Sequence, residues 1–173
     1  MKVLYVASEA LPFMASGGLG DVAGSLPQAL RKRLIGCRVV MPLYDGIKQE
    51  LKDTMTFITS ISVPVAWRRQ YCGIFEAKYK GVIYYLLDNQ YYFKRDGIYG
   101  YYDDAERFAF FSRAILEMLP YIDFHPDMIH CNDWQTGLIP ILLRTQYGHW
   151  DIGNAKTIFT IHNMMYQGEF GFD

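Results

Sequence analysis

The apolar run Val3-Leu4-Tyr5-Val6-Ala7 decides the fold class of this chain. Consecutive apolar residues over the length of one strand are typical of a parallel strand whose two faces are both covered by helices. An irregular segment with proline and glycine follows over residues 8–18, and a helical pattern of apolar residues then begins at Val22. A strand, a loop and a helix in this order indicate the first unit of a doubly wound α/β sheet.

The sequence also predicts how the first helix ends. Arg31, Lys32 and Arg33 favour its last turn because cations are stabilised at the negative end of a helix dipole, and Gly36 is expected to close it. Pro27 is expected either to kink this helix or to mark its true beginning.

The rest of the chain predicts a mostly parallel sheet with an antiparallel excursion. The further predicted strands lie at residues 37–41, 56–65, 71–78, 82–87, 127–131 and 156–161. Short turns join the three runs between residues 56 and 87, as in antiparallel strands. A helix that Asp103 or Asp104 can cap and a second helix at 134–147 then restore the alternation of strand and helix.

The amino-acid composition indicates a folded domain and argues against nucleic acid and membranes as partners. The 173 residues are 51% hydrophobic and 20% charged, which is typical of one folded domain. Seventeen basic residues balance 18 acidic ones, so no sequence-wide positive field would attract nucleic acid. Three separated cysteines suit a reducing cytoplasm, and no apolar run approaches the ~20 residues that a membrane span needs. We expect a cytoplasmic protein with neither nucleic acid nor membrane as partner.

Ligands of a doubly wound sheet bind where the carboxyl ends of its parallel strands meet. Four loops of this chain follow predicted strands in that way, at residues 8–21, 42–45, 132–136 and 162–168. The candidate functional residues are therefore expected in these loops.

The first of these loops contains Ser16-Gly17-Gly18-Leu19-Gly20-Asp21, directly before a helix. Adjacent glycines let backbone N–H groups approach an anionic oxygen at the positive end of the helix, which suits a diphosphate. The alternative is a turn that needs glycine backbone angles and binds nothing. A nicotinamide dinucleotide is disfavoured, because a long segment separates the first strand from Gly17 and no acidic residue ends the second strand.

The loop His130-Cys131-Asn132-Asp133-Trp134-Gln135-Thr136 has more hydrogen-bonding groups than a turn requires. Its structural interpretation is that His130 bonds at the strand end and that Asp133 caps the following helix. A zinc site is rejected, because His130 and Cys131 point to opposite faces of a strand and no second pair of ligands is present.

The remaining candidates carry groups that recognise sugars. His162 and Asn163 follow a predicted strand and offer the donors and acceptors that sugar hydroxyls need, although such a pair can also serve as loop scaffolding. Tyrosines are concentrated between residues 91 and 102, where flat rings could contact a sugar or pack in the core. We assign packing to most of them and single out Tyr99.

On these residues the sequence resembles the family of bacterial glycogen synthases and plant starch synthases. The motifs that carry the resemblance are Val3-Leu4-Tyr5-Val6-Ala7-Ser8-Glu9-Ala10, Pro12-Phe13, Gly17-Gly18-Leu19-Gly20-Asp21-Val22, Gly97-Ile98-Tyr99-Gly100, Asp104-Ala105-Glu106-Arg107-Phe108, residues 130–136, Thr160-Ile161-His162-Asn163 and Tyr166-Gln167-Gly168. The resemblance implies two Rossmann-like domains in the GT-B arrangement, with the active site between them and with neither metal nor cofactor. It implies transfer of glucose, with retention, from ADP-glucose or UDP-glucose to the non-reducing end of an α-1,4-glucan.

The resemblance also implies roles for single residues. Residues 1–173 look like most of the first domain, without the C-terminal nucleotide-binding domain, and are expected to be inactive alone. Ser16, Gly17 and Gly18 would face the donor diphosphate, and Asp21 and Tyr99 would line the glucose and acceptor pocket. His162 and Asn163 would contact the transferred glucose, with Asp21 and His162 as the catalytic residues.

One position departs from the family pattern. The family usually has Lys-Thr-Gly-Gly-Leu where this chain has Ala15-Ser16-Gly17-Gly18-Leu19. An ammonium beside a diphosphate is a favourable contact, so its loss is expected to weaken donor binding unless other cations substitute. Ala15 therefore favours an alternative of a different class, a non-catalytic glucan-binding or regulatory module of the same fold.

Overall fold

The computed structural model describes residues 1–171, and these residues form a seven-stranded sheet. Its strands are β1 Lys2–Val6, β2 Gly36–Pro42, β3 Thr56–Val65, β4 Arg68–Tyr79, β5 Val82–Asp88, β6 Met128–Asn132 and β7 Lys156–Thr160. Their order in the sheet is β3-β4-β5-β2-β1-β6-β7. Strands β5, β2, β1, β6 and β7 pair in parallel, whereas β4 is antiparallel to both of its neighbours. The predicted mostly parallel sheet with an antiparallel excursion is confirmed.

Within the described part of the chain, five helices and three short 3-10 turns connect the strands. The helices are α1 Gly18–Lys32, α2 Gln49–Lys52, α3 Gln90–Phe93, α4 Asp104–Met118 and α5 Leu138–Thr145, and the 3-10 turns are Leu119–Tyr121, Trp134–Thr136 and Asp151–Asn154. Within residues 1–171, none of the helices has the length and apolar character needed to cross a membrane.

Strand β1 lies at the point where the order of the sheet reverses. The chain builds β2 to β5 on one side of β1, and β6 and β7 on the other. Leu4, Tyr5 and Val6 are completely buried because both sheet faces are covered, as the continuous apolar run predicts. The loops after β1 and β6 therefore leave the sheet side by side, at the position where doubly wound folds bind ligands.

Helix α1 differs from its prediction at both ends. It begins at Gly18, so Pro27 lies inside the helix and is buried, rather than marking its start. The prediction that Gly36 closes the helix is wrong, because Leu34 adopts the left-handed conformation with φ of 62° and Gly36 already belongs to β2.

The predicted helix at 134–147 is two elements instead of one. A 3-10 turn covers Trp134–Thr136, and α5 then starts at Leu138. Pro140 has no N–H and a restricted φ, so it is tolerated in the first turn of a helix but not in its interior. A helix that starts shortly before Pro140 is the consequence.

The side chains expected to cap α4 bond elsewhere. Asp103 precedes the helix without capping it, since both of its carboxylate oxygens accept hydrogen bonds from Arg95 at 2.7 Å. Asp104 accepts from the N–H of Gly100 and from Arg107. Charge-assisted bonds to a guanidinium are stronger than a cap to a neutral amide, which explains why the capping prediction is wrong.

Candidate active site

The loop between β1 and α1 is organised around Glu9, a residue that is only 2% exposed. Its Oε2 accepts hydrogen bonds from the N–H of Ser16 at 3.0 Å and from the Ser16 hydroxyl at 2.6 Å. Its Oε1 accepts from the N–H of Gly17 at 3.2 Å and of Gly20 at 3.0 Å. Because Gly17 precedes α1 and has no side chain, the carboxylate of Glu9 caps this helix in its place.

Gly17 and Gly18 lie on the outer side of this loop. Neither has a positive φ, and a Cβ built at either position would meet no atom within 4 Å. By contrast, a Cβ at Gly20 would lie 2.3 Å from the Cβ of Ala15. The fold therefore requires glycine at position 20 but not at 17 or 18, and the alternative of a purely structural glycine turn is not supported there.

The first turn of α1 presents polar groups beside these glycines. No acceptor is found within residues 1–171 for the N–H groups of Gly18 and Leu19. Asp21 is exposed in the same turn. The Ser16 hydroxyl already donates to Glu9, so its proton is engaged inside the loop.

Tyr99 is brought into contact with this loop from far along the chain. Its hydroxyl lies 2.6 Å from Oγ of Ser8 and donates to Oε2 of Glu9 at 3.3 Å. Burial raises the pKa of the Tyr99 phenol, and the nearby Glu9 raises it further, so the hydroxyl stays neutral. The loop at residues 42–45 supports the same network, because the Tyr44 hydroxyl donates to the carbonyl of Ser8 at 2.7 Å.

Arg107 holds the segment that carries Tyr99. This completely buried guanidinium donates to the carbonyls of Tyr92 at 2.7 Å and Ile98 at 2.9 Å. It also pairs with Asp104 at 2.6 Å. A buried cation is tolerated when it is paired and hydrogen-bonded in this way, and the result is a defined position for Tyr99.

Asn132, at the end of β6, determines the orientation of His162. Its amide nitrogen donates to the carbonyls of Val6 at 2.9 Å and His130 at 3.1 Å, which assigns the other side-chain atom as oxygen. That oxygen accepts from the Tyr5 hydroxyl at 3.0 Å and lies 2.8 Å from Nε2 of His162. Nε2 must then donate, so a neutral His162 keeps Nδ1 as an acceptor.

Asp133 supports His162 through the main chain. Its Oδ1 accepts the N–H of His162 at 2.6 Å, and its own N–H donates to the carbonyl of Thr160 at 2.9 Å. The prediction that its side chain caps the next helix is wrong, since the carboxylate is used by His162. Its φ of 57° and ψ of 176° lie in a region that favours glycine and costs other residues about 1–3 kcal/mol.

His130 and Cys131 have structural roles. Nε2 of His130 lies 2.8 Å from Oγ1 of Thr160, which confirms hydrogen bonding at the strand end. Burial lowers the pKa of His130, and His162 nearby lowers it further. Burial raises the pKa of the Cys131 thiol to about 12. Within residues 1–171, no three His, Cys, Asp or Glu side chains are grouped so that they could share a metal ion.

The two polar loops adjoin each other at the carboxyl edge of the sheet. The side-chain amide of Asn132 donates a hydrogen bond to the carbonyl of Val6, the last residue of β1. An aromatic row continues this edge, because the ring of Phe108 lies 5.9 Å from that of Tyr99 and 5.3 Å from that of Trp134. A cleft of about 360 Å³ borders this row and is also lined by Gln135 and Gly168.

Asn163, also expected at this site, is exposed just beyond His162. Its side-chain oxygen accepts the N–H of Met165 at 3.0 Å, which leaves the amide nitrogen as its available donor. A larger cavity, of about 580 Å³, lies near the amino ends of β6 and β7, where its lining includes Pro126 and Trp150. It is separate from the site described above.

Comparison with known proteins identifies the family. The profile described as "Starch synthase catalytic domain" matches residues 2–173. The chain belongs to this family. The resemblance noted in the sequence motifs is thereby confirmed.

The relatives of this family that resemble the chain include glycogen synthases from several bacteria. The glycogen synthase of Clostridium botulinum (strain Eklund 17B / Type B) is 56% identical over 98% of this chain and 36% of its own length. That of Geobacillus stearothermophilus is 56% identical over 98% of this chain and 35% of its own length. The chain thus spans about a third of the length of the curated relatives that it matches.

A solved structure of the same family shows a similar fold. The catalytic domain of starch synthase IV from Arabidopsis thaliana, bound to ADP and acarbose, superposes with a TM-score of 0.87 at 31% identity. The match covers 95% of this chain and 34% of the plant chain. The doubly wound sheet described above is therefore that of a GT-B starch synthase catalytic domain.

Sequence reasoning assigned no functional role to three residues that organise the site. Glu9 and Asn132 follow the apolar residues of β1 and β6, and Arg107 lies in the apolar face of α4. A polar residue at the carboxyl end of a buried strand, or a charge within an apolar helix face, is the signal that could have identified them.

Proposed function

We propose that the protein carrying this chain is a glycogen or starch synthase. It would transfer glucose with retention from ADP-glucose or UDP-glucose to the non-reducing end of an α-1,4-glucan. Residues 1–173 would form the N-terminal Rossmann-like half of the cleft, and the expectation that a C-terminal domain completes it stays a prediction. The observation that carries this proposal is that amides without an acceptor among the described residues, at Gly18 and Leu19, and an oriented His162 lie in loops that follow β1 and β7, which are separated only by β6, at one sheet edge.

The first turn of α1 supports the binding of a donor diphosphate. The amides of Gly18 and Leu19 would donate to phosphate oxygens, and the glycine pair at 17 and 18 would let those oxygens approach the backbone closely. Ser16 would border the same oxygens. The positive end of the helix would stabilise the negative charge that grows on the leaving diphosphate as the bond to glucose breaks.

The second loop supports the recognition of the glucosyl group. Nδ1 of His162 would accept, and the amide nitrogen of Asn163 would donate, hydrogen bonds with sugar hydroxyls. The carboxylate of Asp21, in the first turn of α1, would accept hydrogen bonds from the same sugar. The hydroxyl of Tyr99 is bonded to Ser8 and Glu9, so its ring, rather than its hydroxyl, would contact the sugar.

The experiment that tests this function measures glucosyl transfer to glycogen by the full-length protein, with labelled ADP-glucose and UDP-glucose in parallel. We expect incorporation from at least one donor. Asp21→Ala and His162→Ala should each lower turnover by more than about tenfold, because each removes a group that stabilises the transition state. The exposed Glu50→Ala in α2 serves as control and should keep wild-type turnover. Wild-type turnover in both folded site variants would contradict the assignment.

Ala15 supports the second candidate, a glucan-binding or regulatory module without turnover. It is exposed beside the donor loop, at the position where the family usually has lysine. If this candidate is correct, the protein will bind maltoheptaose but transfer glucose from neither donor. If the protein is an enzyme, Ala15→Lys should preserve activity or tighten donor binding, because it adds an ammonium near phosphate.

We also propose that the protein works in a reducing compartment such as the cytoplasm. Cys37, Cys72 and Cys131 are all buried and unpaired by disulfides. Burial raises the pKa of each thiol to about 12, which keeps them protonated and unreactive. Fractionation of the cells that make the protein tests this location.

A further inference from the structure

We infer that Glu9 is a positioning residue for the sugar donor. Its carboxylate holds residues 16–20 in the conformation that presents the N–H groups of Gly18 and Leu19 to phosphate. The inference rests on the proposed function, because it assumes that a phosphorylated donor binds at this loop.

Most contacts of Glu9 anchor the loop that precedes α1. Both of its carboxylate oxygens accept hydrogen bonds from one short segment, namely from Ser16, Gly17 and Gly20. The residue is 2% exposed, so little water can replace these bonds. A buried carboxylate without partners would be strongly unfavourable, and the loop and the carboxylate therefore stabilise each other.

The geometry divides the amides of the loop into two sets. The N–H groups of Gly17 and Gly20 point inward to Glu9, while those of Gly18 and Leu19 have no acceptor within the described residues. Gly17 is extended and carries no side chain, so nothing else on the loop caps α1. Without Glu9, the amides of Gly17 and Gly20 would lose their acceptor, and the direction of the amides of Gly18 and Leu19 would no longer be defined.

The same carboxylate also accepts a hydrogen bond from a distant segment of the chain. Tyr99 donates to Oε2 of Glu9, and Ser8 lies within hydrogen-bond distance of the Tyr99 hydroxyl. Glu9 thus joins the donor loop to the segment that carries Tyr99 in one hydrogen-bonded network. Its main effect is expected on the donor side, where it receives its shorter bonds.

Only a carboxylate satisfies these contacts. Glutamine has nearly the same shape, but its amide group would place an NH₂ against N–H donors, either those of Gly17 and Gly20 or that of Ser16. Glu9→Gln therefore breaks part of the network without a large change in volume.

Charge and position have opposite effects on donor binding in this variant. The negative charge of Glu9 lies behind a loop that is proposed to bind an anion, so its removal alone would tighten binding. Loss of the defined loop conformation would weaken binding. Weaker binding by Glu9→Gln is therefore a signature of positioning that an electrostatic role cannot produce.

The test uses calorimetric binding of ADP-glucose and of maltoheptaose to the full-length protein, together with thermal unfolding of each variant. Glu9→Gln should weaken ADP-glucose binding by about tenfold or more, the effect of losing a charged hydrogen-bonding partner, and change maltoheptaose binding much less. Asp103→Asn is the matched control, because it also removes a carboxylate with a side chain only 8% exposed, and this carboxylate accepts two hydrogen bonds from Arg95. It should lower the unfolding temperature and leave the affinity for ADP-glucose unchanged.

Each outcome separates the two proposals. Absence of ADP-glucose binding by the wild-type protein would overturn the proposed donor site itself. Unchanged or tighter binding by folded Glu9→Gln, with binding by the wild type intact, would overturn only the role of Glu9. If Glu9→Gln does not fold, Ser16→Ala carries the test, since the hydroxyl that it removes donates its proton to Glu9 at 2.6 Å and so has none for a phosphate. It should weaken ADP-glucose binding several-fold, and wild-type affinity in Ser16→Ala would reject the inference.

Discussion

Nε2 of His162 lies 2.8 Å from the side-chain oxygen of Asn132, and this contact places the proton of a neutral His162 ring on Nε2. The amide of Asn132 cannot be reversed without setting its oxygen against the carbonyls of Val6 and His130. A buried amide at the end of β6 thus determines which nitrogen of His162 can accept a hydrogen bond from a ligand.

Replacement of this amide should reduce both stability and turnover. Asn132→Leu leaves the buried Tyr5 hydroxyl without an acceptor, so we expect the free energy of unfolding to fall by about 1–3 kcal/mol. Adding Tyr5→Phe removes that unpaired hydroxyl and should restore part of the stability, but not turnover, because His162 still lacks its partner. Urea unfolding and glucosyl transfer measure the two effects, and a joint recovery of both would disprove the role in orienting His162.

The strained backbone of Asp133 leads to a second prediction, which concerns the stability of variants at this position. Glycine adopts its φ of 57° and ψ of 176° at lower cost, so Asp133→Gly should be more stable than Asp133→Ala by about 1–2 kcal/mol. Both variants lose the 2.6 Å bond to the N–H of His162, and both should lose turnover to a similar degree. Thermal unfolding and turnover of the pair check this. Equal stability of the two variants would show that the backbone is not strained there.

Substitutions at two glycines of the first loop should affect either the stability of the fold or the affinity for the donor, but not both. Gly20→Ala places a Cβ against Ala15 and should destabilise the fold. Gly18→Ala meets no atom within 4 Å, so stability should be kept, or should rise slightly through helix propensity. Affinity for ADP-glucose should nevertheless fall in Gly18→Ala, because the added methyl group lies where phosphate would approach. Wild-type affinity in this variant would argue against donor binding at the loop.

His130 should make stability depend on pH in the weakly acidic range. Burial lowers its pKa below the ordinary value of 6.5, so the unfolded chain binds a proton at a higher pH than the folded one. Its contribution is therefore complete above about pH 6.5 and is lost as the pH falls towards the lowered value. Urea unfolding between pH 5 and 8 should show a flatter profile for His130→Gln. The exposed His149→Gln is the control and should follow the wild-type profile.

Local sequence patterns predicted the strands well and the ends of helices less well. The run at 56–65 matches β3, because alternation and turn residues act between neighbours in sequence. The left-handed residue at the end of α1 is Leu34 rather than Gly36, and the helix predicted at 134–147 is interrupted. Such ends depend on what each terminus packs against, which a local pattern does not contain.

The partners of polar side chains could not be predicted in this way. Asp103 and Asp133 are residues of a type that often caps helices. The carboxylate of Asp103 instead accepts hydrogen bonds from Arg95, and that of Asp133 accepts one from the N–H of His162. A carboxylate takes the strongest donors within reach, and which donors are within reach is decided by the fold. The sequence predicted that Asp133 lies in a loop of the candidate site and that Asp103 precedes a helix, but it did not predict the hydrogen-bonding role of either residue.

The sequence by itself determined the doubly wound sheet, the carboxyl edge that carries the candidate site, and the family, because apolar runs and contiguous motifs are local properties of the chain. Only the tertiary structure decided which groups at that edge remain available. Glu9 occupies the amides of Gly17 and Gly20, and Asn132 orients His162 from 30 residues away. A donor or acceptor that forms a hydrogen bond inside the protein is no longer available to a ligand. Which groups are engaged in this way is decided only when segments that are distant in sequence come into contact in the folded protein.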